Sequence, residues 1–180
     1  AWEKGVAQAH LLPFSSWASA AADFNNDGFL DLYVANGVPS PDIDSHFVSQ
    51  AQSNHLFINT RRGAFERQVI ADGLQYPSSS RGVISVDLDN DGQLEVVVSN
   101  NNDALQIYKN DAPTNDWIGL DFSALPQEAD IYGSTVTVIT DTQKIYRTLQ
   151  APQQFLSQSD ARLHIGLGQN QKIIGISIKW

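Results

Sequence analysis

A nine-residue acidic loop occurs twice in this chain, its copies starting 64 positions apart at Asp23 and Asp87. Both fit the pattern D-x-[DN]-x-D-G-x-L-[DE]. Both run directly into apolar β-formers, Leu32, Tyr33 and Val34 in the first copy and Val96, Val97 and Val98 in the second. A repeat of this length, with each copy ending in β-branched or aromatic residues, confines the chain to folds in which a turn feeds a strand and the unit recurs. The loop chemistry is equally specific. Carboxylates or an amide stand at positions 1, 3 and 5 (Asp23, Asn25, Asp27; Asp87, Asp89, Asp91), where they point inward together. Hard cations such as Ca2+ take roughly six to eight oxygen ligands. Position 6 is glycine (Gly28, Gly92), which turns sharply without a Cβ penalty. Position 7 offers a backbone carbonyl (Phe29, Gln93) and position 9 a further carboxylate (Asp31, Glu95). The expectation is two Ca2+ sites, one in each loop.

Three other readings of such loops are weaker. Asp, Asn and Gly are common in plain turns, but two matches at one repeat length do not arise by chance. The EF-hand shares the opening pattern and requires a bidentate glutamate at position 12. That position holds Val34 in the first copy and Val98 in the second, so neither copy is an EF-hand. Paired carboxylates also serve glycoside hydrolysis, which needs two acids in different environments across a cleft. Four acidic or amide groups crowded into one short loop would instead repel one another without a cation.

The charge balance follows from the same loops. The formal net charge is −9, from 11 basic and 20 acidic residues, and seven of the acids lie in the two loops. Two bound Ca2+ would offset four of those excess charges. The acidity excludes a nucleic-acid partner, whose phosphates demand a basic face. A content of 42% hydrophobic and 17% charged residues is that of a globular chain. There is no cysteine, hence neither disulfide nor zinc–thiolate site, and no apolar run near the roughly 20 residues needed to span a bilayer. No signal peptide is seen, and the absence of methionine even at residue 1 is read as a mature or excised segment of a longer precursor.

Helical periodicity is nearly absent, and short β-branched runs alternate with Gly, Pro, Asn and Asp punctuation. The chain is predicted to be all-β, with strands over 30–35, 55–59, 83–86, 94–99, 105–109, 117–122, 135–140, 144–149, 162–165 and 173–180. Small-residue strands over 18–22 and 82–86 lead into the loops. In the last strand Ile174, Ile176, Ile178 and Trp180 are expected to share one face. Gly166-Leu-Gly168 is expected to form a tight turn before it. Residues 38–45 read as an exposed loop inserted in the first copy. A unit of about four strands and roughly 60 residues has the size of a β-propeller blade.

These loops and their strands resemble FG-GAP/VCBS repeats, the calcium-binding blade units of integrin-α-type propellers. From about Trp117 onward the chain resembles the ASPIC/UnbV domain, which follows such repeats in bacterial secreted proteins and in proteins of the cartilage acidic protein type. The residues that carry this are Gly133-Ser-Thr-Val-Thr-Val138, Phe155-Leu-Ser-Gln-Ser-Asp160, Arg162-Leu-His-Ile-Gly-Leu-Gly168 and the closing Ile178-Lys-Trp180. The resemblance implies an incomplete ring of two blades over 1–112 (about 1–72 and 73–112), followed by a small antiparallel β domain over 113–180. Glu95 departs from the usual Asp at position 9 and adds a methylene.

No catalytic constellation stands out. His10, His46, His55 and His164 lack metal-protease spacing, and Ser157 and Ser159 lack a nucleophile elbow. His164 is read as a packed or edge histidine. Trp2, Trp17, Trp117 and Trp180 could stack on sugars, though core packing explains most aromatic residues here. Arg61-Arg62 alone carries no signal. The expected function is a non-enzymatic, calcium-stabilised recognition, adhesion or scaffold module, secreted, periplasmic or at the cell surface, with a protein or glycan partner. The alternatives are an accessory domain of a secreted enzyme acting on polysaccharide or metabolite, and a structural spacer. Unclosed blade edges would invite pairing with a second copy.

Overall fold

Each acidic loop connects a small-residue strand to a β-branched one. The computed structural model describes residues 4–6, 15–37, 52–68, 77–113, 115–126, 131–151, 153–169 and 171–180. The strands β1 (Ser16–Ala22), β2 (Asp31–Asn36), β3 (His55–Asn59) and β4 (Phe65–Gln68) form one antiparallel sheet in that order. A second sheet follows in the same sense, from β5 (Ser80–Val86) through β6 (Glu95–Asn100) to β7 (Gln106–Tyr108).

The two sheets are copies. The bounds of β5 and β6 lie 64 residues after those of β1 and β2. Their registers match: Ala22 faces Asp31 as Val86 faces Glu95, with the same bulge at Ser16/Ala18 and Ser80/Gly82. Beyond β2 the copies diverge, because the connection to β3 spans residues 37–54 while that from β6 to β7 spans only 101–105. The inserted loop expected at 38–45 lies outside the described residues.

Alternation sets the core. Ala18, Ala20 and Ala22 face inward from β1, and their small side chains let β1 pack close to β5. One apolar cluster therefore spans both sheets, with Tyr33, Ala35, Val83, Val96 and Val98 at its centre. Phe57, 2% exposed, contributes on the order of 2–3 kcal/mol by its burial. At the strand ends away from the loops, a buried polar ladder ties the copies together. Asn54 Nδ2 donates to Ser80 Oγ (3.0 Å), and Ser80 Oγ donates to Asn100 Oδ1 (2.8 Å).

The C-terminal part adds β8 (Asp116–Leu120), β9 (Thr135–Thr140), β10 (Lys144–Thr148), β11 (Gln153–Gln154), β12 (Ser157–Gln158), β13 (Leu163–Gly168) and β14 (Ile173–Lys179). These pair as β10-β9-β14, β13-β8 and β11-β12. Val136, Val138, Ile145, Leu149, Ile165 and Leu167 form a second core that shares no residue with the first.

The structure departs from the predicted elements in three places. β4 and the β11–β12 hairpin carry no alternation strong enough to predict them. Gly166 and Leu167 continue β13 instead of turning, because Leu167 is buried and a side chain at 166 would collide with the backbone of Asn26. The turn comes at Gly168, whose φ is +86°. In β14 a bulge between Ile173 and Gly175 breaks the expected alternation. Ile173 and Ile178 pack on the second core, while Ile174 and Trp180 stay exposed.

Candidate metal centre

Both loops are built by the same hydrogen bonds. The Asp23 carboxylate accepts the amides of Asp27 (2.9 Å) and Gly28 (2.8 Å), and Asp87 accepts those of Asp91 (3.1 Å) and Gly92 (3.0 Å). Position 9 accepts the amide of position 2, from Phe24 to Asp31 and from Leu88 to Glu95, each at 3.0 Å. Asp27 and Asp91 accept the amides of Phe29 and Gln93 at 2.8 Å. The chain reverses through left-handed residues, Asn26 (φ 54°) and Gly28 (91°) in one loop, Asn90 (59°) and Gly92 (85°) in the other. Asparagine and glycine tolerate that region best.

In the second loop the carboxylate oxygens of Asp87, Asp89 and Glu95 lie within 4.8 Å of one another. Glu95 is 3% exposed, and its Oε1 is buried with no hydrogen-bond partner. An unpaired buried carboxylate oxygen is costly, and a cation at the point of convergence would satisfy it. The donor set, all oxygen and mostly anionic, fits a hard divalent ion. Asp89, half exposed, also pairs with Lys109 (3.0 Å), which holds its carboxyl below the usual range.

The first loop handles its charge differently. Asp23, Asp27 and Asp31 are all buried, position 3 is the neutral Asn25, and both Asp31 oxygens accept backbone amides, from Phe24 and from Asn59 (2.8 Å). Burial pushes the Asp23 carboxyl up to about 6 and that of Asp31 up to about 7, against the amide hydrogen bonds that favour ionisation. Two guanidinium groups face this loop. Arg61 Nε donates to Asp27 at 2.8 Å and lies 5.8 Å over the Phe29 ring. Arg147, on β10, donates to Gly28 O (3.0 Å) and stands 3.5 Å from Asp23.

The second core's strands thus cover the loop rim. Asn26 is the centre of that contact: its Nδ2 donates to Gly92 O (2.7 Å), its Oδ1 meets His164 Nε2 (2.7 Å), and its carbonyl accepts the Gly168 amide (2.8 Å). His164 stacks on Trp117, centroids 5.1 Å apart, and burial lowers its pKa to about 4. It is a packed histidine, as the sequence suggests. On the second loop Trp117 lies against Gly92, and Arg162 donates to Asn90 (2.9 Å). Sequence reasoning missed Arg61, Arg147, Arg162 and Asn26. Of these, Asn26 recurs as Asn90 in a matching loop position and Arg162 opens the motif over 162–168, whereas Arg61 and Arg147 carry no signal in the sequence.

Two family models match the chain. One, described as FG-GAP repeat, covers residues 15–42, the span of β1, the first acidic loop and β2. The other, described as ASPIC and UnbV, covers residues 125–180. No curated protein matches the chain. The second blade follows from the shared register and loop hydrogen bonds of β5 and β6. The chain is therefore an all-β protein of propeller-type blades that joins an FG-GAP repeat to a C-terminal ASPIC and UnbV domain.

Proposed function

We propose that this chain is a non-enzymatic, calcium-binding recognition or scaffold module of the extracytoplasmic space, secreted, periplasmic or at the cell surface. It divides into two blades over 1–112 and an ASPIC/UnbV-like domain over 113–180. The observation that carries the calcium reading is the convergence of Asp87, Asp89 and Glu95, together with an unpartnered, buried oxygen on Glu95. Asp91 and the Gln93 carbonyl complete that ligand set, and Asp23, Asn25, Asp27, Asp31 and the Phe29 carbonyl form the second. A bound Ca2+ neutralises carboxylates that otherwise repel and ties the first residue of β2 or β6 to its preceding turn. That stiffens the rim on which the C-terminal strands rest. The repeat and domain composition supports an accessory or extracellular β-rich role. Among the described residues no helix is long and apolar enough to cross a membrane.

Calorimetric calcium titration, with thermal melting, tests this on the wild type, Asp27→Ala and Asp91→Ala. Two sites are expected, with dissociation constants on the order of 10⁻⁴ to 10⁻³ M as in extracellular modules, and each variant loses one. A flat titration with melting unaffected by chelator would refute the reading.

A further inference from the structure

Between the loop rim and the C-terminal strands lies a cleft of about 440 Å3. Domain interfaces are favoured places for small-molecule sites, which span roughly 300–1,000 Å3. The ends of β1 and β5 wall one side, and residues of β8, β10 and β13 wall the other.

Three features define what the cleft would accept. The first is a rigid aromatic plate. Trp117 stacks one face on His164, its indole edge occupies the space a Cβ at Gly92 would need, and its Cζ3 would lie 3.3 Å from a Cβ at Gly119. Although packed on these sides, Trp117 remains 37% exposed, and Tyr146 on the same cleft is 61% exposed. Fixed, partly open aromatic rings give large contact at small entropic cost. The second feature is charge largely satisfied within the wall, where the remaining acid, Asp87, accepts the amides of Asp91 and Gly92. Arg147 stands 3.5 Å from Asp23, and Arg162 pairs with Asp160 at 2.6 Å. A charged ligand would have to break one of these pairs and leave the other member uncompensated, at considerable cost. The third is a mixture of hydroxyl and amide groups, Ser85, Thr148 and Gln150, that can both donate and accept.

Flat C–H faces against aromatic rings, many hydroxyls and no net charge describe a pyranose ring. We propose that this cleft binds a neutral sugar unit of a glycan, stacked against Trp117 and Tyr146 with its hydroxyls meeting the Arg162–Asp160 pair. The proposal deepens the recognition reading by naming its site and ligand class, and it does not require that either loop hold calcium.

Saturation-transfer NMR on the full chain tests it with methyl glycosides of glucose, galactose, mannose and N-acetylglucosamine as probes, and with glucuronate and ethanolamine as charged controls. At least one neutral glycoside is expected to bind with Kd on the order of 1 mM. Tyr146→Ala and Arg162→Ala are each expected to weaken it roughly tenfold, while Tyr146→Ala keeps the wild-type calcium titration. No transfer to any neutral glycoside, binding by the charged controls alone, or binding untouched by both substitutions overturns the proposal. Because the wild-type arm stands alone, a variant that fails to fold does not rescue it. Sugar binding without a calcium response would defeat only the metal reading, and calcium binding without sugar binding only this one.

Discussion

The two acidic loops share a motif, a hydrogen-bond scheme and the strand register around them, yet they balance their charge by different means. The first is buried under the C-terminal strands, has one fewer carboxylate, and is faced by Arg61 and Arg147. The second keeps four carboxylates, two of them exposed, and is met by the solvent-exposed Lys109 at Asp89 and by Arg162 at Asn90, the latter already paired with Asp160. A guanidinium beside a ligand carboxylate opposes a bound cation and supplies part of the same neutralisation. A motif therefore fixes where an ion can sit, while the surrounding fold sets how much the protein depends on it. Calcium is expected to fill the second loop first.

The largest effect that could break this comparison is calcium removal. At calcium about 100-fold above the second loop's Kd, binding at that site in the folded state alone adds about 2.7 kcal/mol, or a melting shift of roughly 5–10 °C at this size, and the weaker first loop adds less. Glu95→Gln should abolish most of that shift, whereas Asp31→Asn should remove the smaller part. Equal losses would show the loops to be equivalent. Next, Arg147→Ala in chelator should destabilise the fold by about 2–3 kcal/mol, since it leaves Asp23 buried without its cation. With calcium present the same substitution should cost less, because the ion takes over the neutralisation. A penalty independent of calcium would separate Arg147 from the loop's charge balance.

Acidity provides a third probe. With carboxyls at about 7 and about 6 instead of 3.8, Asp31 and Asp23 hold protons in the calcium-free folded state that the unfolded chain has released. Folded-state proton uptake means that stability rises as pH falls from about 7 toward 4. His164 works in the opposite direction. Its value near 4, below 6.5, means that stability is lost as pH falls through that window. The two carboxyls outweigh the one imidazole, so calcium-stripped protein should melt higher at pH 6 than at pH 7.5, and saturating calcium should flatten or reverse the trend. An unstripped-like pH profile after calcium removal would argue against buried, protonated carboxyls in the first loop. The smallest effect belongs to Asn26→Ala, which removes the bonds to Gly92 and His164 and should cost about 1–2 kcal/mol by chemical denaturation.

Much of the blade was legible because its determinants are local. The repeated Asp and Gly positions define the loops, and alanine alternation over 18–22 with the valine run over 96–98 defines the strands they join. β3 and β9 take the predicted bounds, since each is a short β-branched or aromatic run. What could not be read depends on distant partners. His164 reaches Asn26 across 138 residues and Arg147 reaches Gly28 across 119, and no local pattern announces either. Gly166-Leu-Gly168 reads locally as a turn and becomes a strand because the first loop's backbone occupies the space beside it. The paired residues Gln153–Gln154 and Ser157–Gln158 are too few to generate an alternation at all.

The unequal connections after β2 and β6 bear on how this module could be remodelled. Each leaves its strand at the end opposite the acidic loop, and β1–β2 and β5–β6 keep the same register despite the difference in length. Lengthening a loop adds only slowly to its closure entropy. The 101–105 connection is thus a natural grafting point, where a peptide tag or a foreign epitope could be carried without shifting a single loop carboxylate.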